Sequence, residues 1–267
     1  MKLSFLKVGE SMFSRLVIYN FRDIYKNVIG GSYFEEKGRE LLFECKKSIE
    51  KSIDLFFDSA TKTFDANSIE NSWFPQIECN VFISHSHKDF DHILSFVGWL
   101  YECLGIKAFV DSAIWENVNV LAKKLEDKYF AEDVECLMEP REIIEKAYTN
   151  SRIILNSAIE KMIDSTECFL FIGTENSLID FETTSPWIYA ENLFSNVVRR
   201  KELVEYRPIL IHEHYTADSI NMKYKCSFDG YKEITRSDLM EIWKHRGIKD
   251  PLETLDYLYK IKGIIGE

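Results

Sequence analysis

Trp187 and Glu191 stand four residues apart in Ser185-Pro-Trp-Ile-Tyr-Ala-Glu-Asn-Leu193. Ser185 at the N-cap place and Pro186 at the first helical position predict a helix start here. Four-residue spacing puts indole and carboxylate on one face of that helix. An aromatic plane beside a carboxylate suits a sugar ring on which positive charge develops. The carboxylate stabilises an oxocarbenium-like centre and binds ribose hydroxyls, while the ring packs on a leaving base. A core tryptophan and a surface glutamate near a helix N-terminus would show the same spacing, and on this pair alone that plainer role is favoured.

A second cluster follows the apolar run Val81-Phe-Ile83, which ends in Ser84-His-Ser-His-Lys-Asp89 with Asp91-His92 just beyond. Such a cluster suggests the His-x-His-x-Asp-His metal motif of metallo-β-lactamases. Here Asp91-His92 comes two residues too late, and Phe90 opens an apolar stripe at helical spacing (Ile93, Leu94, Val97, Leu100). His212-Glu-His214 offers a further pair but no complete ligand set, so zinc hydrolysis ranks third and no metal site is expected. The third candidate, Asp111, closes a second strand. It either caps the Ser112–Asn117 loop or organises a ligand mouth.

The elements that must hold these residues alternate between strand and helix from Cys79 onward. Ser86 as N-cap and Asp89 in an acidic first turn predict a helix that ends at Gly105. Ile106-Lys-Ala-Phe-Val-Asp111 is a second strand. An amphipathic segment over Val118–Tyr129 and an exposed acidic insertion over Ala131–Glu139 follow. Pro140 starts a helix, and Ile154, Leu155, Ala158, Ile159 and Met162 form a further helical stripe. Cys168-Phe-Leu-Phe-Ile172 has the continuous apolar character of a parallel strand covered on both faces, and Gly173–Ser177 is its polar exit loop. A strand over Arg207–His212 and helices over Arg236–His245 and Leu252–Ile261 complete the pattern. The expectation is an α/β fold with a parallel sheet, right-handed crossovers, and ligands at the carboxyl ends of its strands.

Residues 1–76 read as a mainly helical module. Leu41, Leu42, Cys45, Ile49, Ile53, Phe56 and Phe57 form one helical stripe. Met12–Tyr19 reads as helix or strand, Gly30-Gly31 breaks the chain, and Asn71–Pro75 reads as a linker to a second domain over residues 77–267.

Composition narrows the functions. The chain has 267 residues and a net charge of −11. Residues 1–76 carry 11 basic and 11 acidic groups, which leaves 22 and 33 for the remainder, so the imbalance lies wholly after residue 76. An acidic main domain argues against nucleic-acid partners and anionic membranes, but not against a small phosphate-bearing ligand. No apolar run has the length of a membrane span, and the N-terminal residues do not read as a secretory signal. Six cysteines without CxxC spacing read as reduced thiols of a cytoplasmic protein.

In order, these pieces resemble a TIR domain. Asn80–Asp89 resembles the family's first box, Gly105–Asp111 its second strand and closing acid, and Ala158–Ile172 the helix feeding its third strand. Ser185-Pro-Trp-Ile-Tyr-Ala-Glu191 is similar to its Ser-x-Trp-Cys-x-x-Glu element, with Ile188 in place of Cys. The resemblance spans about residues 77–215 and implies a flavodoxin-like sheet flanked by helices. It also implies an activity found in many bacterial TIR proteins: cleavage of NAD⁺ between ribose and nicotinamide to give ADP-ribose or a cyclic ADP-ribose signal, often in anti-phage immunity. On that reading Glu191 is catalytic, and Ser84, His85, Ser86, Asp111, Trp115 and Trp187 line the cleft. NAD⁺ is then a substrate and no further cofactor is implied. The loop holding Trp115 would be mobile and mediate homotypic self-association, with a trigger or partner protein starting assembly. Residues 112–150 are longer than the family's usual loop and helix, and that loop's glycine and arginine are not evident. The alternative is a non-enzymatic TIR scaffold.

Overall fold

The computed structural model describes residues 14–46, 53–115, 117–133, 138–198, 224–244 and 250–265. Five strands form one sheet: β1 (Ser14–Ile18), β2 (Val81–Ser84), β3 (Ala108–Phe109), β4 (Cys168–Ile172) and β5 (Lys232–Glu233), in the order β3-β2-β4-β1-β5 with every pairing parallel. The expected α/β architecture is therefore present and is consistent with a flavodoxin-like sheet. Alternation along the strands gives the sheet two covered faces. Leu16, Val81 and Leu170 face a layer of helices with Phe96 and Leu255, while Phe169 and Phe171 meet Tyr231 and Phe228, at ring separations of 6.3 and 5.0 Å. All five residues of β4 are buried, as its unbroken apolar run requires.

The helices follow their sequence signals. They are α1 (Phe21–Ile24), α2 (Ser32–Lys46), α3 (Ala66–Trp73), α4 (Phe90–Leu104), α5 (Asp111–Ile114), α6 (Val118–Glu132), α7 (Pro140–Ser165), α8 (Pro186–Val197), α9 (Arg236–Lys244) and α10 (Pro251–Ile261). Gly105 stops α4 in the left-handed conformation at φ 69°. The Ser185 hydroxyl accepts from Ile188 N at 3.3 Å and starts α8. Pro140 and the Ile154–Met162 stripe belong to one 26-residue helix, α7. Among the described residues no helix is long and apolar enough to cross a membrane.

Several expectations change. Ser14–Ile18 is a strand within the sheet, paired along its length with β4, so the N-terminal 76 residues contribute a central strand as well as helices. Leu16, Phe21 and Trp73 share one apolar core with Phe82 and Phe169, and Lys161 on α7 pairs with the buried Glu70 of α3 at 2.6 Å. The 76/77 boundary therefore marks no break in the sheet or the core. Asn71–Pro75 is not a free linker, because Trp73 and Phe74 are almost fully buried. The stripe through Leu41–Phe57 is not one helix: Asp54–Phe56 is a 3₁₀ turn leading into a small strand pair, Phe57–Asp58 with Thr63–Phe64. Ser86 makes no side-chain cap, and His87–Asp89 forms a 3₁₀ turn before α4. The strand expected over Arg207–His212 lies outside the described residues.

The N-terminal segment is locked on through glycine. Gly38 of α2 and Gly98 of α4 let the two backbones touch: a Cβ on Gly98 would stand 2.0 Å from the Phe34 carbonyl oxygen, and one on Gly38 would stand 2.0 Å from that of Leu94. Neither backbone can yield without separating the helices. Gly98→Ala is expected to destabilise the chain by at least about 1–3 kcal/mol, whereas Gly31→Ala, with open space around it, should change stability by less than about 0.5 kcal/mol. Urea denaturation of both variants checks this.

Candidate functional site

The carboxyl ends of β2 and β3 and the first turns of α8 bring four of the candidate residues together. Ser84 ends β2 on the Phe82 side of the sheet, the face that carries α8. Its hydroxyl is buried without a hydrogen bond, near the carboxyl of Glu191, which is itself only 3% exposed. Asp111 opens α5 directly after β3. Burial first, and then the negative charge of Asp111, push the Glu191 pKa well above its ordinary 4.5, and the Ser84 hydroxyl acts in the opposite direction. No cation is among the groups that shift Glu191.

His85 lies beside this acid pair, with Nε2 3.4 Å from Ser112 Oγ and Nδ1 buried without a partner. Burial lowers its pKa, against the pull of Asp111. A buried imidazole whose pKa is lowered, a buried carboxyl whose pKa is raised and a second acidic side chain thus share one edge of the sheet. That is a constellation able to hold and move a proton beside a bound substrate. Ser86 is buried next to His85, and its carbonyl accepts from Asp89 N at 2.8 Å.

The two tryptophans differ. Trp187 is half-buried and packs against the apolar core one turn before Glu191, as its spacing predicts. Trp115 is not on an open loop. It is 3% exposed, its Nε1–H donates to the Pro75 carbonyl at 3.1 Å, and its ring meets Phe109 and Phe74 at 4.7 and 5.6 Å. The stretch expected as a mobile loop begins as helix α5, so Trp115 here is a core side chain and makes no wall of an open cleft. The reason is steric: two aromatic neighbours and a free carbonyl offer the indole a complete buried socket.

The imidazoles of the second cluster have different partners, although His85 and His87 both reach the Phe90 ring, at 6.5 and 5.9 Å. His85 faces Ser112, His87 stacks on Phe90 at 5.9 Å and His92 packs on Tyr25 at 4.3 Å. Among the described residues no group of three or more His, Cys, Asp or Glu is placed to hold a metal ion; His212 and His214 lie outside them.

Two networks escaped sequence reasoning. Asp89, 1% exposed, accepts from Thr174 Oγ1 at 2.5 Å and Asn176 Nδ2 at 2.7 Å, and Arg22 lies 3.5 Å away. It joins the exit loops of β1, β2 and β4. The polar loop Gly173–Ser177 hinted at this, but nothing local pointed to Arg22. Behind Glu191, Asn192 Nδ2 donates to the Ser227 carbonyl at 3.0 Å and to Tyr231 Oη at 3.2 Å, and Ser195 Oγ meets Tyr231 Oη at 2.5 Å. These bonds fix the rotation of α8 and hence the direction of Glu191.

Comparison with protein-family models, curated proteins and solved structures finds no match for this chain.

The electrostatics have a sign that can be measured. Unfolded Glu191 ionises near 4.5, while the native carboxyl holds its proton to higher pH. Its contribution to stability is therefore full below 4.5 and declines as pH rises toward the native value. Glu191→Gln should be more stable than the parent at pH 7, with the gap closing below pH 4.5, as followed by urea titrations at both pH values. His85 acts oppositely, and its contribution declines as pH falls below 6.5. Asp89→Ala, which removes the acceptor of Thr174 and Asn176 and one of the two carboxylates facing Arg22, should cost about 3 kcal/mol by the same measurement.

Proposed function

We propose that this chain is a TIR-type NAD⁺ nucleosidase, with Glu191 as its catalytic carboxylate and Trp187 and Ser84 beside the substrate. The observation that carries this reading is the convergence of Glu191 with Ser84 and Asp111 at the carboxyl edge of the sheet, on a helix that also presents Trp187 one turn earlier. Cleavage breaks the bond between ribose C1′ and the nicotinamide ring nitrogen, whose electron pair returns to the ring and neutralises it. The oxocarbenium-like ribose is stabilised by the Glu191 carboxylate. Capture by water gives ADP-ribose and a proton, and capture by a nucleophilic atom of the same molecule gives a cyclic product. Ionised Glu191 is needed for this step, whereas burial and Asp111 favour the protonated acid. A cationic nicotinamide riboside moiety reverses that preference, because an adjacent positive charge favours the carboxylate. Burial and Asp111 thus oppose ionisation of the catalyst in the resting chain, and substrate and self-assembly relieve that opposition. A cytoplasmic signalling role in bacterial anti-phage immunity, started by a trigger or partner protein, fits that arrangement.

One observation favours the second reading, a non-enzymatic scaffold for other TIR domains: Glu191 is only 3% exposed. A single experiment separates the two. The purified chain is incubated with NAD⁺ over a range of protein concentrations, with a crowding agent to drive assembly, and nicotinamide release is followed. The expected result is release that rises with assembly and falls at least about 100-fold in Glu191→Ala. Release that is unchanged in Glu191→Ala overturns the mechanism. Self-association without any release, with cellular effects intact in Glu191→Ala, assigns the scaffold.

A further inference from the structure

A crevice opens at the same edge of the sheet, between the exit loops of β1 and β4. It has a volume of about 580 Å³, and its walls are the Tyr19–Lys26 turn and the Gly173–Phe181 loop. That volume is in the range of about 300–1,000 Å³ usual for small-molecule sites. The loops diverge because β1 leads to α2, packed on α4, whereas β4 leads to α8, packed on α7. Divergent exits from adjacent parallel strands leave space for a ligand at their carboxyl ends. Ser84, Asp111 and Glu191 do not line this crevice.

Its rim is strained. Ile179 and Glu182 exchange two backbone hydrogen bonds of 2.9 Å, and the turn between them is made by Asp180 and Phe181 at φ 51° and 62°. A phenylalanine in the left-handed region is costly where glycine or asparagine would fit freely. The residue is 57% exposed, and its ring packs edge-on against Tyr19 at 6.4 Å. Strain of this kind collects at ligand sites. The charges are also unevenly used. Arg22 is taken by Asp89 and Glu175, while Lys26 and Asp180 make no ion pair among the described residues.

We propose that this crevice binds a nucleoside monophosphate, with the base on Phe181 and Tyr19, the ribose diol on Asp180 and the phosphate on Lys26. Aromatic faces take any base by stacking, and a carboxylate is a natural acceptor for ribose hydroxyls. Lys26 is the cation on these walls left without an ion pair among the described residues, so it is the one placed to meet a phosphate. Asp23, Glu175 and Asp180 on the same walls repel the added charge of a di- or triphosphate. The site is separate from Glu191, so it stands or falls independently of NAD⁺ cleavage.

The test is calorimetric titration of the full chain with AMP, adenosine and inorganic phosphate. AMP should bind at least 10-fold more tightly than either fragment. Phe181→Gly and Phe181→Asn should each weaken AMP at least 10-fold without lowering Tm, because both suit the left-handed backbone. Lys26→Glu should weaken it similarly with Tm unchanged, and Glu191→Ala should leave AMP affinity intact. No AMP binding up to about 1 mM, equal affinity for phosphate alone, or binding lost in Glu191→Ala but kept in the Phe181 and Lys26 variants overturns the proposal.

Discussion

The carboxylate of Asp89 is the tie on which the functional edge depends. A parallel sheet delivers its strand exits to one edge, and there the polar loops must pack on one another out of water. Asp89 satisfies Thr174 and Asn176 from the β4 exit and faces Arg22 from the β1 exit. Arg22 in turn reaches Glu175. One buried carboxylate therefore sets the spacing of three loops. The crevice between β1 and β4 and the Glu191 cluster lie on either side of it.

Glu191 presents the opposite case. Asp89 has donors and a guanidinium, whereas Glu191 has a hydroxyl and a neighbouring carboxyl, and among the described residues no cation favours its ionised form. Burial without such a partner lowers native stability at neutral pH, and a fold selected for stability alone has no use for it. The surrounding structure holds it in place regardless: Asn192, Ser195 and Tyr231 clamp α8, and the Ser185 and Pro186 start sets where its first turn begins. A costly acid in a rigid frame is a common form of site preparation.

Much of this could be read along the chain because it rests on local periodicity. The unbroken apolar run Cys168–Ile172 marks a strand covered on both faces, Gly105 marks a helix stop, and Ser185-Pro186 marks a helix start. Spacing also placed Trp187 and Glu191 on one face. Trp115 was not legible in this way, since an indole in a polar loop reads as exposed until Phe74, Phe109 and the Pro75 carbonyl surround it. Ser14–Ile18 was ambiguous for a similar reason. Five apolar-rich residues carry no period long enough to separate helix from strand, and only the vacant edge of β4 settles the matter.

The sequence by itself determined the strands Val81–Ser84 and Cys168–Ile172, the helices α4, α7 and α8, the parallel sheet, and the helical pairing of Trp187 with Glu191. Those are properties of neighbours within a few residues of one another. Tertiary structure alone decided that β1 enters the sheet between β4 and β5, that Gly38 meets Gly98, and that Arg22, Asp89 and Thr174 converge. It also decided that Ser84, Asp111 and Glu191 meet, turning an ordinary surface acid into a buried one whose pKa is raised. The physical reason is that burial and charge are set by what the chain brings from far away, and no local window of residues contains that information.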